Sequence, residues 1–260
     1  MSSAKPLIAV CSATGQQGRS VAYQLLAKKS YNVRALVRNK ESAEAIKLQE
    51  EGAELVIASL QDTSSLIKAF KDVQAVYAYT SPQPDHIKET VLGCNIVDAC
   101  KAQGEHVPWL VWSTCPAVEQ LSKGKYKVPI WDEKAAVDEY AKKEQVPATF
   151  VRLGLFLDNL FGYHYLRPNF DNSKKITSLE MHTPIVPANY LVPLISIQID
   201  LGSSIEALLD CVVGHKSSQA SEHLHKKYII GFGYLSWSEV AEKISEGELY
   251  RCIDSRFSGP

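Results

Sequence analysis

Apolar and polar positions along the first 153 residues follow two alternating rhythms. The runs "LIAVC" (7–11), "YNVRALV" (31–37), "AELVIA" (53–58), "VQAVYAY" (73–79), "VPWLVWST" (107–114) and "ATFVRL" (148–153) are apolar and of strand length. The stretches between them carry apolar residues at helical spacing. Val21, Ala22, Leu25 and Leu26 form a stripe after the first run, and a second helix is expected at 41–49. Asp62 ahead of "TSSLIKAF" reads as a helix N-cap. Leu92, Ile96 and Ala99 mark one face of a long helix ending near Gly104, and "WDEKAAVDEYAKKE" (131–144) is a further helix. Strict strand–helix alternation implies parallel pairing through right-handed crossovers, hence a doubly wound α/β sheet.

The rhythm breaks after Gly154. Residues 160–200 are rich in aromatics, prolines and asparagines and show no clean period. Beyond them "IDLGSSIEALLDCVVG" reads as a helix, "KKYIIGFG" as a strand and "SWSEVAEKISE" as a helix opened by Ser236 or Ser238. The expected organisation is a nucleotide-binding domain over 1–153, with 154–260 forming a small lobe packed on it.

Composition narrows the function classes. The 260 residues carry a net charge of −1, with lysines and arginines scattered along the chain. A nucleic-acid surface needs a dense basic face, so direct nucleic-acid binding is not expected. No apolar run is long enough to span a bilayer, and "MSSAKPLIAV" enters a strand without the pattern of a signal peptide, so the expectation is a cytoplasmic address, extended to the nucleus, with no membrane partner. Six cysteines without a C-x-x-C pair or a His-Cys cluster point to reduced thiols and to no metal site.

Between the first strand and first helix lies "SATGQQG", residues 12–18. A phosphate-binding turn needs glycine where the backbone takes a positive φ or lets a phosphate approach, and it aims a helix N-terminus at the charge. Ser12, Gly15 and Gly18 fill the three key places, with Ala13, Thr14, Gln16 and Gln17 between them. Serine for the first glycine costs backbone freedom and adds a hydroxyl that can donate to phosphate. Cofactor choice is read about twenty residues further on, at the end of the second strand. There the chain has "ALVRNK", so Arg38 stands where an acidic residue would accept from a ribose 2′-OH, with Asn39 and Lys40 beside it. A guanidinium suits a 2′-phosphate, and NADP(H) is favoured over NAD(H).

With "SATGQQGRSV", "VRALVRN", "IWDEKAAVDEY" and "VRLGLFLDN" (151–159), the chain resembles the NmrA-like family of atypical short-chain dehydrogenase/reductase relatives. The resemblance implies an α/β fold, a doubly wound parallel Rossmann sheet with a smaller C-terminal α/β lobe. It assigns the phosphates to the 12–18 turn, the 2′-phosphate to Arg38 and Asn39, and the nicotinamide ribose side to Thr80 and Ser81. Lys134 and the backbone from Phe156 to Asn159 would line the nicotinamide end. Ser59 stands where many relatives carry an aspartate near the adenine. The chain also ends at "ELYRCIDSRFSGP", sooner than the family pattern implies, so a shortened or rebuilt lobe is expected.

Carbonyl reduction by this superfamily uses Tyr-x-x-x-Lys, in which the lysine lowers the tyrosine pKa and the tyrosine donates the proton. None of the twelve tyrosines has a lysine four residues on, and Ile130 holds the place four before Lys134. Ser113 and Thr114 follow the fifth strand and read as strand-end caps. Lys134 is either a solvated lysine of an amphipathic helix or, as the resemblance implies, a cofactor contact and acid–base candidate. His164 and His182 are further proton-donor candidates in the irregular stretch. Two function classes follow. One is an NADP(H)-binding redox sensor that regulates a protein partner such as a transcription regulator. The other is an NADPH-dependent oxidoreductase of a small apolar quinone, enone or related electrophile, with the aromatics of "LFGYHYLRPNF" (160–170) as a wall.

Overall fold

The computed structural model of the chain describes residues 5–83, 85–162, 166–170, 172, 176–181, 189–214, 217–231 and 233–245. The predicted alternation is present through the first part: β1 (Leu7–Val10), α1 (Gln16–Lys28), β2 (Asn32–Val37), α2 (Ala43–Glu50), β3 (Glu54–Ile57), α3 (Thr63–Ala69), β4 (Ala75–Ala78), α4 (Glu89–Lys101), β5 (Trp109–Thr114), α5 (Val118–Leu121), α6 (Pro129–Lys143) and β6 (Ala148–Leu153). There follow β7 (Leu155–Phe156), α7 (Leu157–Gly162), β8 (Leu166–Phe170), β9 (Ile176–Met181), β10 (Leu191–Ile195), α8 (Gly202–Val212), α9 (Ala220–His223), β11 (Lys227–Ile230), β12 (Gly233–Ser236) and α10 (Trp237–Ser245).

Side-chain caps set several of these boundaries. The Asp62 carboxylate accepts the Ser64 N–H at 2.9 Å and opens α3, as its position predicts. Ser42 does the same for α2 through the Ala45 N–H. Pro129 sits in the first turn of α6, where its missing N–H removes no helical bond. Of the two serines that could open α10, Ser236 is the cap: its hydroxyl accepts the Glu239 N–H, while the Glu239 carboxylate takes the Ser236 N–H at 2.7 Å.

The main sheet has seven strands in the order β11-β6-β5-β4-β1-β2-β3. The β1–β2, β1–β4, β2–β3, β4–β5 and β5–β6 pairs are parallel. Phe150 N–H donates to the Lys226 carbonyl and Gly154 N–H to that of Ile230, so β11 advances in step with β6. The strand expected in the C-terminal lobe at 226–233 is therefore the edge strand of the main sheet. Ile8, Tyr77, Leu110, Trp112 and Phe150 are fully buried in its core. Helix α4 packs between α3 and α6, and α1 packs against α8.

Two compact units emerge: Met1–Arg152 with Leu201–Ile229, and Leu153–Asp200 with Ile230–Pro260. The sequence pattern suggested one boundary, after residue 153. In the second unit β7, β10 and β12 form a three-stranded sheet, and β8 pairs with β9 as an antiparallel hairpin. Of these strands, β8, β9 and β10 lie in the stretch that showed no clean period.

Candidate functional site

In the sheet order, β1 lies between β2 and β4, so the chain leaves β1 in one direction and comes back on its other side three strands later. This reversal opens a crevice at the strand C-termini, the general binding position of doubly wound sheets. The segments that leave β1 and β4 there are the 11–15 turn and residues 79–88.

The turn is built on backbone bonds. Cys11 N–H donates to the Tyr77 carbonyl, Ala13 N–H to that of Leu36, and Gly15 N–H back to that of Ser12 at 2.9 Å. Ser12 holds φ at +49°, the left-handed region that the missing first glycine would have entered freely. Gly18 is required by contact: a β-carbon there would lie 2.5 Å from the Ser12 carbonyl oxygen and 2.9 Å from Ala13 Cα. Helix α1 then opens at Gly15 without a side-chain cap and without an acidic residue in its first turn, which leaves the positive end of its dipole for an anion. The Gln17 amide oxygen accepts from the Tyr77 hydroxyl at 3.0 Å. Thr14 and Gln16 complete the turn on either side of Gly15.

Two arginines of the neighbouring strand differ in their commitments. Arg34 is spent on structure, donating to Glu54 at 2.9 Å and to the Ala69 and Lys71 carbonyls. Arg38, just past the end of β2, is exposed and has no hydrogen bond or ion pair among the described residues. Its charge, with that of Arg19, is felt by the Tyr79 phenol beside the turn. Asn39 spends its side-chain oxygen on the Glu41 N–H, and Lys40 is exposed. Ser59, after β3, is exposed and caps its own loop by accepting the Gln61 N–H.

On the other side of the crevice, Thr80 is buried and its hydroxyl has no partner among the described residues, while Ser81 is exposed and its carbonyl accepts from Gln83. A buried polar atom without a partner costs folding free energy unless a ligand or water meets it. Lys134 is no solvated lysine. Its ammonium pairs with Glu89, the first residue of α4, and the two side chains are 13% and 4% exposed. The second Glu89 oxygen has no partner among the described residues. Cys115 lies in the same field, where burial pushes its thiol up to about 11 against the pull of Lys134. One turn on, buried Asp138 faces Lys227 at 2.8 Å, and burial holds its carboxyl above the ordinary range. Ser113 and Thr114 are buried at the end of β5; Ser113 faces the Tyr77 hydroxyl.

Thus the 12–18 turn, Arg38, Thr80 and Lys134 all come from the first unit, whereas Phe156 and Asn159 belong to the second, in β7 and α7. His164 and His182 lie outside the described residues. The pattern reading missed Glu89, Tyr77 and Tyr79. Glu89 joins Lys134 across 45 residues of sequence, a pairing that only the packing of α4 on α6 creates. The two tyrosines did leave a signal, because their i, i+2 spacing turns both toward one face of an extended strand.

Comparison with known proteins places this geometry among relatives. A profile of the NmrA-like family matches residues 4–245. The "NmrA-like family domain-containing oxidoreductase himF" of Aspergillus japonicus is 36% identical over 141 residues, 52% of this chain and 42% of that protein. The similarly named hkm9 of Aspergillus hancockii is 30% identical over 213 residues, 78% of this chain and 63% of that one. The chain thus spans about two fifths of one relative and under two thirds of the other. Among solved structures, NmrA, a negative transcriptional regulator in complex with NADP, superposes with a TM-score of 0.79 at 22% identity, over 94% of this chain and 71% of that one. At that identity the likeness speaks for the fold. NmrA has also been solved with NAD.

Proposed function

The chain belongs to the NmrA-like family, and from that premise we propose that it binds NADP(H) across the β1–β4 crevice and uses this occupancy to govern a protein partner. The observation that carries the reading is Arg38, an exposed guanidinium without a partner among the described residues, next to an uncapped helix end. The phosphates would rest over Ser12–Gly18 and the 2′-phosphate against Arg38 and Asn39, with Lys40 beside them and Ser59 toward the adenine. Thr80 and Ser81 would meet the nicotinamide ribose. NmrA supports both halves of the reading, as a transcriptional regulator that is bound to NADP. A dinucleotide shifts a partner-binding equilibrium only by its differential affinity for the two states, so the regulator must change conformation or surface on binding.

Bound NADPH supplies a hydride, and the described residues offer little to complete a carbonyl reduction. Ile130, exposed in the first turn of α6, replaces the tyrosine, and the Lys134 ammonium is engaged by Glu89. A second reading, reduction of a small quinone or enone, is favoured by the oxidoreductase names of himF and hkm9. Quinone reduction needs little help from an acid, because the product anion is comparatively stable.

Absorbance of NADPH mixed with the protein and a panel of quinones and enones separates the two. The regulator reading expects consumption at background rate. Turnover well above background that is lost in K134R would establish the reductase. Arginine is the substitution of choice, because K134A would strand Glu89 in the interior without a cation and confound activity with unfolding.

A further inference from the structure

No motif assigns a role to Tyr79, yet its hydroxyl sits inside the glycine turn. It donates to the Ser12 carbonyl at 3.2 Å and faces the Gly18 N–H, and it fills the space that a β-carbon on Gly15 would need. The ring is 8% exposed, and burial pushes the phenol up to about 12, so it remains a donor through the physiological range.

Its acceptor is the carbonyl of the one residue in the turn that departs from the glycine pattern. Ser12 pays for φ +49° with crowding between its β-carbon and the backbone, a cost that glycine would not incur. The same carbonyl accepts the Gly15 N–H and is walled in by Gly18, so its direction sets the path of the whole turn into α1. If Ser12 relaxed toward negative φ, this carbonyl would swing away and the N-terminal N–H groups of α1 would lose their common aim.

We infer that Tyr79 is a positioning residue: its hydrogen bond holds the Ser12-bearing turn in the phosphate-receiving shape and offsets the missing first glycine. The inference rests on the dinucleotide reading of the turn. Serine at 12 and tyrosine at 79 are therefore energetically coupled, and either a glycine at 12 or the phenol at 79 is enough to keep the turn aimed.

The test is a double-mutant cycle over S12G and Y79F, with NADPH affinity measured by calorimetry and the thermal midpoint of each ligand-free protein measured in parallel. Y79F should weaken NADPH binding about fivefold to tenfold, the value of one hydrogen bond. Whatever affinity S12G keeps once the serine hydroxyl is gone, S12G/Y79F should fall within about twofold of it, the tolerance for independent effects. A role limited to packing would give Y79F the same loss in both backgrounds, and that result, or no loss in Y79F at all, overturns the inference. If the native protein binds no NADPH, the dinucleotide reading itself fails. The coupling is then read from the midpoints, where Y79F must cost more in the native background than in S12G, and equal costs refute it.

Discussion

A β-carbon on Gly18 would meet the backbone of Ser12 and Ala13, atoms that cannot rotate out of the way as a flexible side chain would. G18A must therefore push the turn off the N-terminus of α1, and the effect falls on binding before it falls on the core, since the turn borders the crevice. NADPH affinity in G18A should drop at least about tenfold by calorimetry, while far-ultraviolet circular dichroism stays native. Native affinity in G18A would mean that the phosphates sit elsewhere. The residue scale is also where sequence reading went furthest and then stopped. The places of Ser12, Gly15, Gly18 and Arg38 were legible because backbone conformation and position at strand ends fix them. Glu89 was not, because an acidic residue at the start of a helix reads as a dipole partner until the packing sets Lys134 against it.

Among the elements, α6 and β11 are joined by one charge pair. Asp138 is wholly buried, and Lys227 reaches it from the edge strand with a side chain 32% exposed. Removing the cation leaves a carboxylate that burial already disfavours in its ionised form. K227M should lower stability by about 2 kcal/mol in denaturant titration at pH 7, below the range for a fully buried pair because Lys227 is partly solvated. The sign with pH follows from the raised native carboxyl: above its ordinary value of 3.8 the native state holds the proton more tightly, so the loss in K227M should shrink as pH falls toward 4. A loss that does not change with pH would place the cost in lost packing instead. The pairing of β11 with β6 was invisible in the sequence, since "KKYIIGFG" names a strand but not its neighbour. The second-unit strands were hidden for a different reason. Pro168 in β8 and Pro193 in β10 interrupt the apolar pattern and remove a backbone donor each, and the β8–β9 register slips between Asn169 and Phe170. By contrast the first six strands were legible to within two residues at each end.

For the molecule as a whole, acid should be the destabilising direction. Hydrogen bonds hold the carboxyls of Asp62, Asp132, Glu139, Glu144 and Glu239 below their ordinary values, and only Asp138 among the described carboxyls with a resolved shift is raised. Lowered native values mean that the unfolded chain binds more protons, so stability is present above the ordinary values of 3.8 to 4.5 and is lost as pH falls through them. The thermal midpoint should hold between about pH 7 and 5 and then fall steeply below about 4.5, and a midpoint that rises on acidification would contradict this balance. No helix among the described residues is long and apolar enough to cross a membrane. We propose that the exposed guanidinium of Arg38 beyond β2 selects the phosphorylated dinucleotide. Calorimetric titration of the native protein and R38A with NADPH and NADH tests it most directly. The native protein should bind NADPH at least about tenfold more tightly than NADH, and R38A should bring the two within about twofold of each other. Equal affinities in the native protein, or a preference that survives in R38A, would contradict it.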